Sequence, residues 1–167
     1  MTTPSFGDKI LVLGCPGSGK STFARRLQEK TGLPLVHLDN VWWRADGTHI
    51  SRDAFDRALE GLLAGEKWVM DGDYSRTYEV RLRAADTAIF LDYDEETCMT
   101  GIMARVGQNR PDMPWTEDAL DPELVAQVQN YRRDNQPALL ALLQKYPEKQ
   151  SLIFPSRQEA EQWLSRL

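Results

Sequence analysis

Five short apolar runs, at 10–13, 35–38, 68–70, 87–91 and 151–154, punctuate the chain. Runs of this length, apolar at nearly every position and closed by turn residues, predict strands with both faces covered. Between them the apolar period lengthens to three or four, the helical spacing. Phe23 and Leu27 lie four apart in a helix predicted over about 19–30, which Thr31-Gly32 stops. Phe55, Leu59, Leu62 and Leu63 share one face of a helix capped by Ser51 and ended at Gly65. A short helix over 77–85 and another over 95–106, with Cys98, Ile102 and Met103 inward, follow. A longer helical region covers 123–145, bent near Pro137, and a last helix over 157–167 turns Ala160, Trp163 and Leu164 inward. Alternation of this kind predicts a three-layer α/β sandwich: a parallel sheet covered by helices on both sides, in one domain spanning 1–167.

Two stretches fall outside the pattern. Segment 40–50 is aromatic and polar, with Trp42, Trp43 and an Asp46-Gly47 turn. Segment 107–122 contains Asn109, Arg110, Pro111, Asp112, Pro114, Trp115 and Pro122, a composition that predicts an ordered but movable loop, here a short lid.

The chemistry is concentrated at the first strand-to-helix junction, which reads Gly14-Cys15-Pro16-Gly17-Ser18-Gly19-Lys20-Ser21-Thr22. Gly14-x-x-x-x-Gly19-Lys20-Ser21 satisfies the phosphate-binding loop motif, with the strand before it and the helix after it that the motif requires. Glycines allow several backbone N–H groups to converge on phosphate oxygens, and the helix start adds its own unsatisfied donors. Lys20 can bridge the terminal phosphates of ATP, and Ser21 is suited to the Mg2+ they carry.

Ligands of a parallel sheet gather at the carboxyl ends of its strands. Ser21, Asp39, Asp71, Asp73 and Asp92 all fall at or just after such ends. Asp71 is the expected second anchor for Mg2+, and Asp92 is expected to be structural. Asp39 is placed to orient an acceptor hydroxyl and take its proton. Trp42 and Trp43 supply an aromatic wall for the acceptor, although adjacent residues of a regular strand point to opposite sides, so that one of them belongs to the core. Asp73, Arg76 and Arg81 are further acceptor-side candidates. Phosphoryl transfer needs cations where charge develops, and Arg105 and Arg110 bracket the start of the loop while Arg132 or Arg133 approaches from the next helix. His37 shares a pleat side with Asp39 and is expected to be structural; Cys15 is expected to be a small filler within the loop.

Composition narrows the classes. The chain has 167 residues, 41% hydrophobic and 27% charged, within the globular range. A net charge of −5 argues against direct nucleic-acid binding, which needs a basic field. Two isolated cysteines provide neither a disulfide framework nor a metal cluster. No apolar run approaches the eighteen or more residues of a membrane helix, and residues 1–9 lack the apolar core of a signal peptide. A cytoplasmic enzyme, monomeric or homodimeric, is the expectation.

The phosphate loop with proline two residues after its first glycine resembles that of adenylate-kinase-like P-loop kinases. His37-Leu38-Asp39, Trp42-Trp43, Trp68 to Ser75, Arg81-Leu82, Ala85-Asp86, Leu91-Asp92-Tyr93 and Asn109-Arg110-Pro111 resemble the bacterial relatives known as topology modulation proteins. The resemblance implies a five-stranded P-loop NTPase sheet of the nucleoside monophosphate kinase type, Asp71 on the magnesium side, an acceptor cleft near Asp39, and Arg105 and Arg110 in the lid. It also has departures. Asp71-Gly72-Asp73-Tyr74-Ser75-Arg76 stands where adenylate kinases have Asp-Gly-Phe-Pro-Arg, so Arg76 matches only with a one-residue offset. Asp39 stands where they have Thr-Gly, which resembles enzymes that phosphorylate a hydroxyl. The reading is a small-molecule kinase using ATP, its acceptor either a nucleoside monophosphate or a hydroxyl of a nucleoside or similar metabolite. The alternatives are a nucleotide-dependent regulatory or DNA-topology-associated factor and a hydrolase without an acceptor.

Overall fold

The structure is a computed structural model that describes residues 6–167; the reading of the N-terminus as lacking a signal core falls, for residues 1–5, outside them. The strands are β1 (Lys9–Gly14), β2 (Leu35–His37), β3 (Trp68–Asp71), β4 (Thr87–Leu91) and β5 (Gln150–Phe154). They form one five-stranded sheet in the order β2-β3-β1-β4-β5 with every pairing parallel. The helices are α1 (Lys20–Thr31), α2 (Leu38–Trp42), α3 (Arg52–Leu63), α4 (Tyr78–Ala84), α5 (Glu95–Arg105), α6 (Pro122–Asp134), α7 (Gln136–Lys145) and α8 (Arg157–Ser165). A single 3-10 turn, Ser75–Thr77, leads into α4. None of these helices is long and apolar enough to cross a membrane.

The three inner strands follow the pattern expected of them. Ile10 to Leu13, Val69, Met70 and Ala88 to Leu91 are all buried, because helices cover the sheet on both sides. The outer strands do not. β2 is only half-buried, and β5 leaves Ile153 44% exposed, since each has a neighbour on one side alone.

Three further expectations are corrected. The second strand stops at His37, and Asp39 lies in the first turn of α2 instead of at a strand end. On α5, Cys98 and Ile102 are buried, but Met103 is 59% exposed, because it is rotated about 100° from Ile102. The helical region 123–145 is two helices separated at Asn135. Pro137 sits in the first turn of α7, where its missing N–H costs no hydrogen bond.

Ser51 caps α3 by accepting from the Ala54 N–H at 3.1 Å, and Asp94 caps α5 by accepting from the Thr97 N–H at 2.7 Å. The α5 cap matters because α5 is the wall against which the phosphate loop rests. A methyl on Gly101 would stand 1.9 Å from the Gly17 carbonyl oxygen, and one on Gly17 would stand 2.0 Å from the Cys98 carbonyl oxygen. Loop and helix therefore meet backbone to backbone. In an exposed helix interior, Gly→Ala is normally stabilising by about 0.5–1 kcal/mol. Here Gly101→Ala is expected to destabilise the fold by about 2 kcal/mol or more, through overpacking against a backbone that cannot retreat. Urea denaturation checks this; a variant as stable as the parent would show that the contact is slack.

Candidate active site

The loop from Cys15 to Gly19 turns tightly, with the Ser18 N–H donating to the Cys15 carbonyl at 3.0 Å. Gly17 and Gly19 have φ of 85° and 87°, the left-handed region that side chains resist. Ser18 is fully buried beneath the loop, and its hydroxyl has no hydrogen-bond partner. Cys15 is also buried; hydrogen bonding to Cys98, reinforced by burial, pushes its thiol well above the ordinary range. That keeps it protonated, in line with a filler role. Arg157, at the start of α8, approaches the loop at Gly19. Its guanidinium lies 5.4 Å above the Tyr93 ring, and its Nη1 would stand 2.8 Å from a methyl on Gly19.

Beside the loop opens a cavity of about 630 Å3. Pro16 and Lys20 line it on the loop side. Asp39, Trp42, Trp43, Asp73 and Tyr74 line it from α2 and the turn after β3, and Arg105, Trp115 and Glu117 from α5 and the following loop. Both tryptophans reach the cavity because the helix ends between them: Trp42 is the last residue of α2, and Trp43 is extended at φ −90°, ψ 145°. Trp42 packs edge-on to Phe55 and Tyr74, and Trp43 edge-on to Trp115 at 5.5 Å. Asp39 accepts a 2.6 Å hydrogen bond from the Tyr74 hydroxyl, whose own pKa is raised by burial and by the Asp39 charge.

Asp71, the last residue of β3, is buried, and Asp73, in the turn after it, is half-buried at the cavity edge. Asp71 accepts from His37 Nδ1 at 2.5 Å, which gives the strand histidine its partner. Burial raises the Asp71 pKa, against the opposing pull of His37 and Lys20. Asp73 accepts from the hydroxyls of Tyr78 and, at 3.1 Å, Tyr131, with Asn135 Nδ2 at 3.4 Å. Burial raises its pKa too, with the Lys20 charge as the largest opposing influence.

Several arginines are placed differently from the sequence expectation. Arg81 is fully buried: its Nη1 donates to the Gly72 carbonyl at 2.9 Å, its Nη2 to that of Asp73, and its Nε to the Thr77 hydroxyl. Burial draws its pKa down to about 10. It therefore holds the turn that presents Asp73 and Tyr74 and does not line the cavity. Arg76 lies on the surface, paired with Asp56 at 2.7 Å, outside the cavity. Arg105 lines the cavity and pairs with Glu117 at 3.4 Å. Arg110 is turned to Asp112 at 3.1 Å and Glu117 at 3.7 Å. Arg132 is half exposed, with Nη2 3.4 Å from the Tyr93 carbonyl and 3.8 Å from Asp92, and borders a small second cavity beside Cys15 and Cys98. Arg133 points away, to Asp134. Asp92 accepts from Gln136 Nε2 at 2.7 Å, tying β4 to α7.

The Ser21 hydroxyl accepts from Arg25 Nη1 at 3.0 Å, and Thr22, exposed, accepts from Nη2 of the same guanidinium. Arg25 is 3.9 Å from Asp112, so the loop that begins near 107 is linked to the first turn of α1. Among the described residues no group of three or more His, Cys, Asp or Glu is arranged to hold a metal ion. Sequence reasoning did not single out Tyr74, Trp115, Glu117, Tyr131 or Asn135 as cavity residues. Their only signal was position after a strand or within the anomalous loop.

Asp73 offers a direct check on the charge balance. A carboxyl whose folded pKa is raised contributes stability below its unfolded pKa, and this is lost as pH rises through the folded value. Melting temperature should therefore fall more for the parent than for Asp73→Asn between roughly pH 4 and pH 7. Parallel curves for the two proteins would mean that Asp73 titrates normally.

A family model described as AAA domain matches residues 10–113, more than half of the chain. Adenylate kinase of Thermotoga neapolitana is 29% identical over 77 residues, 46% of this chain and 34% of the relative. Shikimate kinase of Paracidovorax citrulli is 43% identical over 54 residues, 32% of this chain and 29% of the relative. The matches thus span about a third of the length of these curated relatives. Among solved structures, shikimate kinase from Acinetobacter baumannii in complex with shikimate superimposes with a TM-score of 0.64 at 15% identity, over 96% of this chain and 91% of the other. That likeness shows a shared fold. With the family match across its phosphate loop, β3 and α5, the chain belongs to the AAA domain family.

Proposed function

We propose that this protein transfers the terminal phosphoryl group of ATP to a hydroxyl of a small molecule. The observation that carries the reading is one cavity lined by both Lys20 and Asp39 and walled by aromatic rings. The bond that forms joins the acceptor oxygen to the γ-phosphorus, and the bond that breaks releases ADP. Asp39, oriented by the Tyr74 hydroxyl, takes the acceptor proton. Lys20 and the loop N–H groups bind the donor phosphates and neutralise charge as it shifts toward ADP. Gly14, Pro16, Gly17, Ser18, Gly19, Ser21 and Thr22 complete the donor cradle.

A hydroxyl is favoured over a monophosphate because, among the described residues, the cations lining the cavity are Lys20 and Arg105. An acceptor phosphate calls for at least two arginines beyond those serving the donor. Ser21 and Asp71 are the oxygen donors, of the hard type magnesium prefers, that would hold the ion; neither lines the cavity, and to do so Ser21 would release Arg25 while Asp71 keeps His37 on its Oδ2. When bound, the ion would shield the triphosphate charge. Loop 107–122 serves as a short lid that carries Arg110 toward the transferring group and excludes water, with Arg105 beside it at the end of α5. Arg132 stands by as a further cation. The similarity to adenylate and shikimate kinases supports ATP as donor, and the His37-Leu38-Asp39 and Trp68 to Ser75 motifs support the topology modulation subgroup. A reducing cytoplasmic setting suits the two free cysteines.

The test is ADP formation from ATP and Mg2+ across a panel of hydroxyl compounds and nucleoside monophosphates. Asp39→Asn is expected to lower transfer about 100-fold or more with ATP affinity retained, and Lys20→Ala to abolish it. ADP release that matches the best acceptor rate with no acceptor present, or undiminished transfer by Asp39→Asn, would overturn the proposal.

A further inference from the structure

Outside the large cavity, the fold brings the two cysteines of the chain together. Cys15 lies in the phosphate loop and Cys98 on α5, far apart in sequence, yet both line the small second cavity. There the Cys15 thiol donates a hydrogen bond to Cys98. The backbones are equally close, since a methyl on Gly17, two residues after Cys15, would stand 2.0 Å from the Cys98 carbonyl oxygen. Phosphoryl transfer uses neither thiol, so the pairing calls for another account.

Both cysteines are buried, but they are not sealed from solvent. The rim of their cavity is formed by Glu95, Gln129 and Arg132, all exposed. Its volume of about 40 Å3 exceeds what one water needs, roughly 10–15 Å3, and is far too small for a peptide thiol or disulfide. A reagent the size of hydrogen peroxide fits. The two sulfurs also differ in character. The hydrogen bond from Cys15, helped by the Lys20 charge and opposed by burial, draws the Cys98 thiol below its ordinary range, while Cys15 keeps its proton. Cys98 is therefore the nucleophile of the pair and Cys15 the resolving thiol beside it.

Resting on the reading of Gly14 to Thr22 as a nucleotide-binding loop, we infer that Cys15 and Cys98 are a site of reversible oxidation by hydrogen peroxide, and that the disulfide they form weakens nucleotide binding. The Cys98 thiolate attacks one peroxide oxygen, the O–O bond breaks, and hydroxide leaves and is protonated to water. Cys98 is then a sulfenic acid. The Cys15 sulfur attacks Cys98 Sγ, the S–O bond breaks, and a second water departs with the Cys15 proton. Two thiols have lost two electrons, peroxide has been reduced to two waters, and a dithiol reverses the bond by exchange. A covalent bond holds the sulfurs closer than a hydrogen bond does. Gly17 and Gly101 already touch, so loop and helix cannot close up as rigid bodies. The adjustment falls on the loop itself and turns its N–H groups away from their common target.

The experiment treats the reduced full chain with a small molar excess of hydrogen peroxide. Peptide mapping without reductant is expected to find the Cys15–Cys98 crosslink, and dithiothreitol to remove it. Affinity for a fluorescent, non-hydrolysable ATP analogue with Mg2+ is expected to fall about tenfold or more on oxidation and to return on reduction. Cys98→Ser is expected to bind the analogue equally well before and after peroxide. Return of binding in the parent itself keeps the test independent of how that variant folds. Unreacted thiols, separate sulfinic acids in place of the crosslink, or a crosslinked protein of unchanged affinity would overturn this inference and leave the nucleotide-binding loop standing. A reduced parent that fails to bind the analogue would overturn the loop reading, and the regulatory claim with it.

Discussion

Everything at this site depends on a backbone-to-backbone contact between the phosphate loop and α5. Gly17 and Gly101 approach so closely that neither can carry a side chain, and Gly17 is also held at positive φ. A loop whose amides must all point inward has no apolar side chains with which to fix itself, so its shape comes from what it rests on. α5, capped by Asp94 and packed through Cys98 and Ile102, provides that support. The position of Lys20, and so the floor of the cavity, follows from it.

The opposite wall is set by charge. The end of β3 and the turn after it place Asp71, Asp73 and Tyr74 in a partly to fully buried region where uncompensated carboxylates would be costly. Arg81 is buried with them and spends its donors on the carbonyls of that turn, while His37 answers Asp71 and two tyrosines answer Asp73. The polar groups of the turn are thus paired within the protein, and Asp39, steadied by Tyr74, lines the cavity along with Asp73, Glu117, Asp121 and Glu123. Burial and pairing place acids of similar sequence position differently, Asp71 within the fold and Asp39 partly exposed on the cavity.

Much of this was legible in the sequence, and the exceptions have physical causes. The inner strands, the phosphate loop and the α3 cap follow from local rules: apolar runs, glycine spacing and a serine ahead of a helical period. Asp39, Trp42, Trp43 and Arg105 could be connected with the cavity because strand ends in a parallel sheet converge. The one-turn helix α2 could not be foreseen from five residues, yet it is what turns both tryptophans into the same space. Arg76 and Arg81 illustrate a second limit. Their sequence positions flank the same turn, but one meets Asp56 from α3 at the surface and the other is enclosed by the turn it holds. Pairings made across tens of residues, such as Tyr131 with Asp73 or Asp112 with Arg25, leave no local signature.

The central claim is that donor and acceptor meet in a single cavity between Lys20 and Asp39. A crystal structure with magnesium and a non-hydrolysable ATP analogue tests it most directly. The account requires the β- and γ-phosphates to lie on the Gly14 to Ser21 backbone and Lys20, with the γ-phosphorus facing the space beside Asp39. A triphosphate bound elsewhere, or one whose γ-phosphate points away from Asp39 into solvent, would contradict it.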